Sequence, residues 1–133
     1  MIRVLIADDH GVLRDGLGRV IAAQPDLELV GAVANGAEAV ELSRTAAPDV
    51  VLMDLEMPVL DGIEATRAIL AETPGTAVLV LTSFSDQRRI TGALDAGAVG
   101  YLLKDASPDD LFGAVRAAAR GESPLAPKAA GAS

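Results

Sequence analysis

The residues best equipped for chemistry in this sequence are three carboxylates and one ammonium, each directly after a short apolar run. Asp8 and Asp9 follow Ile2–Ala7, Asp54 follows Val50–Met53, and Lys104 follows Gly100–Leu103. Thr82 and Ser83 follow a fourth run, Ala77–Leu81, in the same way. If one crevice gathers these groups, it holds excess negative charge at close range, and carboxylates so crowded raise a pKa or recruit a cation. Mg2+ (or Mn2+) suits such a place, because it takes oxygen ligands from one or two carboxylates and keeps its waters for a phosphoryl oxygen. With that charge neutralised, Asp54 has the character of a carboxylate nucleophile toward phosphorus. Lys104 and the Thr82 hydroxyl can then offset the negative oxygens of the transferring group. An acyl phosphate carries about −2 where Asp54 carried a single charge, so its bonds to Thr82 and Lys104 would pull on two strand ends.

Taken singly, each residue has a plainer reading. Asp9 can cap the first helix, Asp8 can be a solvated loop acid, and Asp54-Leu55-Glu56 can be an acidic turn. Thr82 is a good strand former and Lys104 can be a surface lysine. His10 reads as a helix-start or rim residue, and Met53 and Met57 as packing residues. Only convergence favours the chemical reading, and convergence is a matter of fold.

Five apolar, β-branched runs, the four above and Leu27–Val33, alternate with segments of helical spacing, a β-α unit five times over. Runs such as Val50-Val51-Leu52-Met53 and Val78-Leu79-Val80-Leu81 do not alternate with polar residues, as expected of parallel strands covered on both faces. In such a doubly wound α/β sheet, ligands sit at the carboxyl ends of the strands, which is where the polar residues stand. Helix signals agree with this register. Asn35 with Glu38, Asp61 before Gly62, and Ser107-Pro108-Asp109-Asp110 each mark an N-terminus, and Arg116 and Arg120 before Gly121 mark the end of the last helix. Leu13, Leu17, Val20 and Ile21 form the apolar face of the first helix, and Leu111, Phe112, Val115 and Ala119 that of the last. The fourth helix, about Gln87 to Ala96, contains Gly92 and has Ile90 and Leu94 as its large apolar anchors, so it is expected to be the least rigid.

At 133 residues the chain is of one-domain size, with a core expected over residues 1–121 and a Gly-, Ser-, Pro- and Ala-rich linker over 122–133. The absence of Cys removes disulfides, thiolate metal sites and cysteine nucleophiles, and a single His removes multi-His centres. A net charge of −8 disfavours phosphate backbones and anionic lipid, and 2% aromatic content is poor material for stacking on bases or flavins. No apolar run approaches a membrane span and the first residues lack the layout of a signal peptide, so a cytoplasmic, non-membrane protein is expected.

Ala7-Asp8-Asp9-His10, Pro48 through Pro58 around Asp54, Asp61-Gly62, Leu81-Thr82-Ser83 and Gly100-Tyr101-Leu102-Leu103-Lys104-Asp105 together resemble the receiver domain of a bacterial two-component response regulator. The Asp8-Asp9-His10 start, Lys104-Asp105 and the tail are similar to the NarL/FixJ (LuxR-type) subfamily. The resemblance covers residues 2 to about 121 and implies a flavodoxin-like five-stranded sheet in the order 2-1-3-4-5. It implies Asp54 as phosphoacceptor from a sensor histidine kinase, with Asp9, Asp54 and the Glu56 main-chain carbonyl ligating Mg2+ and Asp8 reaching it through water. It makes Thr82 the switch hydroxyl, Lys104 the phosphate-pairing lysine and Tyr101 the aromatic that turns inward when Thr82 closes on the phosphate. The same Tyr101 reads equally as a half-buried strand aromatic. Glu56 and Phe84 fall where side chains overhang the acyl phosphate and tune its lifetime. The implied output is a changed α4-β5-α5 surface and a homodimer on phosphorylation, through that face or the first and fifth helices. DNA would be reached only through a C-terminal helix-turn-helix domain outside this sequence.

One departure is that Asp105, not Pro, follows Lys104, which leaves the isomer of that peptide open. Three other readings compete. A haloacid-dehalogenase-type phosphatase needs an acid/base Asp two residues after the nucleophile, where this chain has Glu56. A flavodoxin-like cofactor carrier needs a phosphate cradle after the first strand, where this chain has two carboxylates. A phosphorylation-independent pseudo-receiver would act by protein contact alone, although every residue for phosphorylation is present. The domain is not expected to be an enzyme beyond catalysing its own phosphoryl transfer and dephosphorylation.

Overall fold

The computed structural model describes residues 1–83 and 87–122. Strands and helices alternate: β1 (Ile2–Ala7), α1 (Gly11–Ala22), β2 (Leu27–Val33), α2 (Gly36–Ala46), β3 (Val50–Asp54), α3 (Gly62–Glu72), β4 (Ala77–Thr82), α4 (Gln87–Asp95), β5 (Gly100–Leu103) and α5 (Pro108–Ala119). All strand pairs are parallel and the order is β2-β1-β3-β4-β5, the doubly wound arrangement expected. β3 and β4 each run one residue longer than the apolar pattern marks. Asp54 is still paired with Leu81 and Thr82 with Leu103, because a polar side chain does not prevent its backbone from completing the ladder.

The central strands feed two cores through the period-two alternation of their side chains. Val4, Ile6, Leu52, Leu79 and Leu102 pack with Ile21 of α1 and with Leu111 and Val115 of α5. Leu5, Val51, Met53, Val78 and Val80 pack on the other face with Ala39 of α2, Ile69 of α3 and Ala93 of α4. Burying a large aliphatic side chain contributes about 1.5–3 kcal/mol, against about 0–1 for a surface ion pair, so these layers fix the strand ends in place.

The helix caps form as the sequence predicts. Asn35 accepts from Glu38 N at 2.9 Å, Asp61 from Glu64 N at 2.9 Å and Ser107 from Asp110 N at 3.2 Å, with Pro108 in the first turn of α5. Two apolar-face assignments shift by one residue. In α5 the buried residue near the C-terminus is Ala118, not Ala119, because about 100° per residue brings 118 back over Leu111, while 119 is the last helical residue. In α4 the buried residue is Ala93, whereas Leu94 is exposed. Gly92 explains this: a Cβ there would stand 3.1 Å from Ile63 Cδ1, so α4 meets α3 through its small residues. The linker expected beyond Gly121 falls mostly on residues 123–133, outside the described residues.

Candidate functional site

The site lies at the carboxyl ends of β1, β3, β4 and β5, where the order reverses between β1 and β3. β1 delivers Asp8, whose N–H donates to the Val33 carbonyl at 3.0 Å and whose side chain is fully buried. Asp8 Oδ1 accepts from the His10 backbone N–H at 2.9 Å, while Oδ2, 3.8 Å from Lys104 Nζ, has no hydrogen bond. The Asp8 carbonyl accepts from the Arg14 guanidinium at 2.8 Å, which ties the strand end to α1.

Asp9 is partly exposed at the rim of the same crevice. It does not cap α1, whose N-cap position is His10, so the capping reading of Asp9 is set aside.

Asp54 ends β3 at 1% exposure. Its Oδ1 stands 3.1 Å from Lys104 Nζ and accepts from the Glu56 N–H at 3.4 Å, while Oδ2 has no hydrogen bond. Burial first, and the Asp8 charge second, push the Asp54 carboxyl up to about 6, against the downward pull of Lys104.

Thr82 ends β4 fully buried, and its hydroxyl donates to the Ser83 carbonyl at 3.2 Å rather than into the crevice. Lys104 follows β5, held by its N–H on the Thr82 carbonyl at 2.9 Å, with a side chain only 20% exposed. No peptide among the described residues is cis, so Lys104–Asp105 is trans. Tyr101 is half-buried against the α3/α4 core and pairs with Val80, two residues before Thr82, which puts Thr82 and Tyr101 on one face of the sheet.

The side chain of Glu56 is exposed, with Oε1 3.8 Å from the guanidinium of Arg89, which also reaches Asp61 at 3.3 Å. Phe84 lies outside the described residues.

The structure therefore brings Asp8, Asp9, Asp54 and Lys104 together, with Thr82 beside them and the exposed Glu56 on the loop over Asp54. His10, read from the sequence as a helix-start or rim residue, is the N-cap of α1 with its side chain 64% exposed. Its Nδ1 stands 3.2 Å from Asp8, 3.3 Å from Asp9, 4.0 Å from Asp54 and 3.3 Å from Lys104 Nζ. Two residues escaped the reading of the sequence. Arg89 links α4 to the loop over Asp54, a tertiary contact with no local sequence mark. Gly62 lies against the end of β3, where a Cβ would overlap the Asp54 carbonyl oxygen.

A divalent cation fits this donor set. One ammonium faces three carboxylates, two buried carboxylate oxygens lack a hydrogen bond, and Asp8, Asp9, His10 and Asp54 each offer an atom within 4.8 Å of the others. Among the described residues no helix is long and apolar enough to cross a membrane.

Comparison with known proteins agrees with this geometry. The family model for the response regulator receiver domain matches residues 4–116. The transcriptional regulatory protein LiaR of Bacillus subtilis is 46% identical over 131 residues, covering 98% of this chain and 62% of LiaR. This chain thus spans about three fifths of the length of that relative. The signal receiver domain of the putative response regulator NarL from Mycobacterium tuberculosis superposes with a TM-score of 0.86 at 34% identity, covering 91% of this chain and 98% of that one. A LuxR-family two-component response regulator from Aurantimonas sp. SI85-9A1 superposes with a TM-score of 0.88 at 35% identity, covering 96% and 91%. With its matched fold, its acidic crevice and close relatives among LuxR- and NarL-type regulators, the chain belongs to the response regulator receiver domain family.

Proposed function

We propose that this domain is a phosphorylation-controlled switch in which Asp54 accepts a phosphoryl group from the phosphohistidine of a sensor histidine kinase. The histidine N–P bond breaks as a bond forms from an Asp54 carboxylate oxygen to phosphorus, and the imidazole leaves. The observation that carries this reading is a nearly fully buried Asp54 beside Lys104 at 3.1 Å, with one carboxylate oxygen lacking any hydrogen bond. Asp9, Asp54 and the Glu56 main-chain carbonyl would hold Mg2+ (or Mn2+), with Asp8 acting through water. When bound, the ion would neutralise carboxylate charge and polarise the phosphoryl oxygens.

Lys104 already sits where a phosphoryl oxygen on Asp54 would need a cation. Thr82 must exchange its bond to the Ser83 carbonyl for one to that oxygen. A bond to a charged acceptor is worth about 1.5–3 kcal/mol against about 0.5–1.5 for a neutral one, so the exchange favours the closed state by about 1 kcal/mol. That is enough to shift a pre-existing equilibrium about fivefold, with the Lys104 ion pair adding to it. Tyr101, on the same face, follows Thr82 inward, and the α4-β5-α5 surface changes with it. Glu56, exposed on the loop after Asp54, and Phe84, by the family resemblance, set how fast water removes the phosphoryl group.

In the longer protein, phosphorylation would promote a homodimer through this face or through α1 and α5. The dimer would place attached helix-turn-helix domains on two half-sites and so control transcription in the cytoplasm. The similarity to LiaR, a transcriptional regulatory protein, supports this output. The chain acts on its own carboxylate and not as an enzyme on a separate substrate.

Intact-protein mass spectrometry after incubation with acetyl phosphate and Mg2+ tests the reading. One hydroxylamine-labile phosphoryl adduct is expected, absent from Asp54→Asn and from a metal-free control. No adduct under any condition would overturn it in favour of a pseudo-receiver that works by contact alone. Sedimentation unchanged on phosphorylation would overturn the dimer.

A further inference from the structure

Arg89, on α4, reaches across to the loop that follows Asp54. Its Nη2 is 3.3 Å from Asp61 Oδ2 and its Nη1 is 3.8 Å from Glu56 Oε1. The two carboxylates are not held alike. Asp61 is fixed, because its Oδ1 caps α3 by accepting from the Glu64 N–H at 2.9 Å, which leaves Oδ2 for the guanidinium. The Glu56 side chain is 66% exposed, and among the described residues its carboxylate pairs with no other cation. Asp61 therefore anchors the guanidinium, and the guanidinium aims Glu56.

This link matters more on α4 than it would on another helix. Ala93 is buried, Leu94 is exposed and Gly92 stands against Ile63, so little apolar surface holds α4 to the body of the domain. The Arg89 side chain, 28% exposed, is also the least exposed of the ion-paired arginines among the described residues, and a partly desolvated pair is screened less by salt.

The Glu56 N–H donates to Asp54 Oδ1 at 3.4 Å, so this side chain is rooted beside the carboxylate that would carry the phosphoryl group. When water hydrolyses phospho-Asp54, its oxygen bonds to phosphorus, the bond from phosphorus to the Asp54 carboxylate oxygen breaks, and both water protons leave on inorganic phosphate. A carboxylate close by can orient that water by accepting a hydrogen bond from it. Turned toward α4, Glu56 is withheld from this task.

We propose that Arg89 is a positioning residue that holds the Glu56 carboxylate against α4 and away from water attacking phospho-Asp54, so that the phosphoryl lifetime depends on where α4 lies. A shift of α4 that breaks the pair releases Glu56 and shortens the lifetime, and a partner that keeps α4 in place lengthens it. This rests on Asp54 as phosphoacceptor, and the experiment separates the two.

The chain would be phosphorylated with acetyl phosphate and Mg2+, freed of the donor by desalting, and followed by intact-protein mass spectrometry as the adduct decays. Arg89→Gln should lose the phosphoryl group about two- to fivefold faster than the parent, the size of shift a surface ion pair supports. Asp61→Asn, which keeps the cap of α3 but drops the charge that anchors Arg89, should move the rate in the same direction. Arg89→Lys, whose single ammonium replaces the guanidinium fork, should recover part of the lifetime. In a Glu56→Gln background, Arg89→Gln should change the rate by less than about 1.5-fold, since two residues acting through one contact are not additive. An unchanged lifetime in Arg89→Gln, or the same acceleration with Glu56 replaced, would overturn the Arg89 assignment and leave Asp54 as phosphoacceptor. No adduct on the parent would overturn both.

Discussion

Replacing Asp54 by Asn should stabilise the fold at neutral pH and do nothing for it in acid. The Asp54 carboxyl stands at about 6 in the folded chain against an ordinary value of 3.8, chiefly through burial and then through the Asp8 charge. A carboxyl held up in this way releases its proton later in the folded chain than in the unfolded one. Between pH 3.8 and 6 the unfolded state therefore binds fewer protons, and stability falls as pH rises through that window. Above pH 6 the cost levels off at about 3 kcal/mol, from the distance between the two values. Asn keeps the shape and removes the charge. Lys104 loses its partner at 3.1 Å but keeps Asp8 at 3.8 Å and contact with water.

Urea unfolding of both proteins in a chelating buffer, at half-unit steps from pH 4 to 8, would read the difference. Asp54→Asn should be more stable by about 2–3 kcal/mol at pH 7.5, and the advantage should vanish toward pH 4. Adding Mg2+ to the parent at about a hundred times its dissociation constant should recover about 2.7 kcal/mol and nearly close the gap. A difference that does not vary with pH, or an Asn variant less stable than the parent at pH 7.5, would refute the electrostatic reasoning.

Lys104→Met leaves Asp8 and Asp54 buried without their cation, so without metal at pH 7.5 it should lose about 3 kcal/mol of stability in urea melts, most of it restored by Asp54→Asn in the same chain. Gly62→Ala forces a Cβ into the Asp54 carbonyl oxygen. It should cost about 2–4 kcal/mol in thermal melts and slow adduct formation at Asp54 in the mass assay, because the end of β3 must move. Val59, in the loop between β3 and α3, holds φ at +71° with a β-branched side chain that is 81% exposed. Val59→Gly should raise the melting midpoint, since the left-handed conformation costs about 1–2 kcal/mol for such a residue and no packing is lost.

The β-α alternation was legible because the strands are short apolar runs, four of them followed directly by chemistry-bearing residues, and the caps were legible because Asn35, Asp61 and Ser107 act within one turn of their own helices. The strand order came through resemblance, since no local pattern tells β2 to pair outside β1. What the sequence hid was tertiary. Whether Ala118 or Ala119 is buried depends on where α5 ends against the sheet, and whether Ala93 or Leu94 faces inward depends on how closely Gly92 lets α4 approach Ile63. His10 was legible as a helix-start or rim residue, whereas the turn in which its N–H binds Asp8 Oδ1, with its ring exposed beside the acidic pair, is a property of the folded loop.

The sheet acts as a partition. Thr82 and Tyr101 look onto the layer that contains α3 and α4, while α1 and α5 are anchored on the opposite side by Ile21, Leu111 and Val115. If Thr82 and Tyr101 move as proposed, their side chains act first on the α3/α4 layer, and α1 and α5 are reached only through the sheet between. A single residue inserted in β4 between Val80 and Thr82 would turn Thr82 toward the α1/α5 side and uncouple that relay.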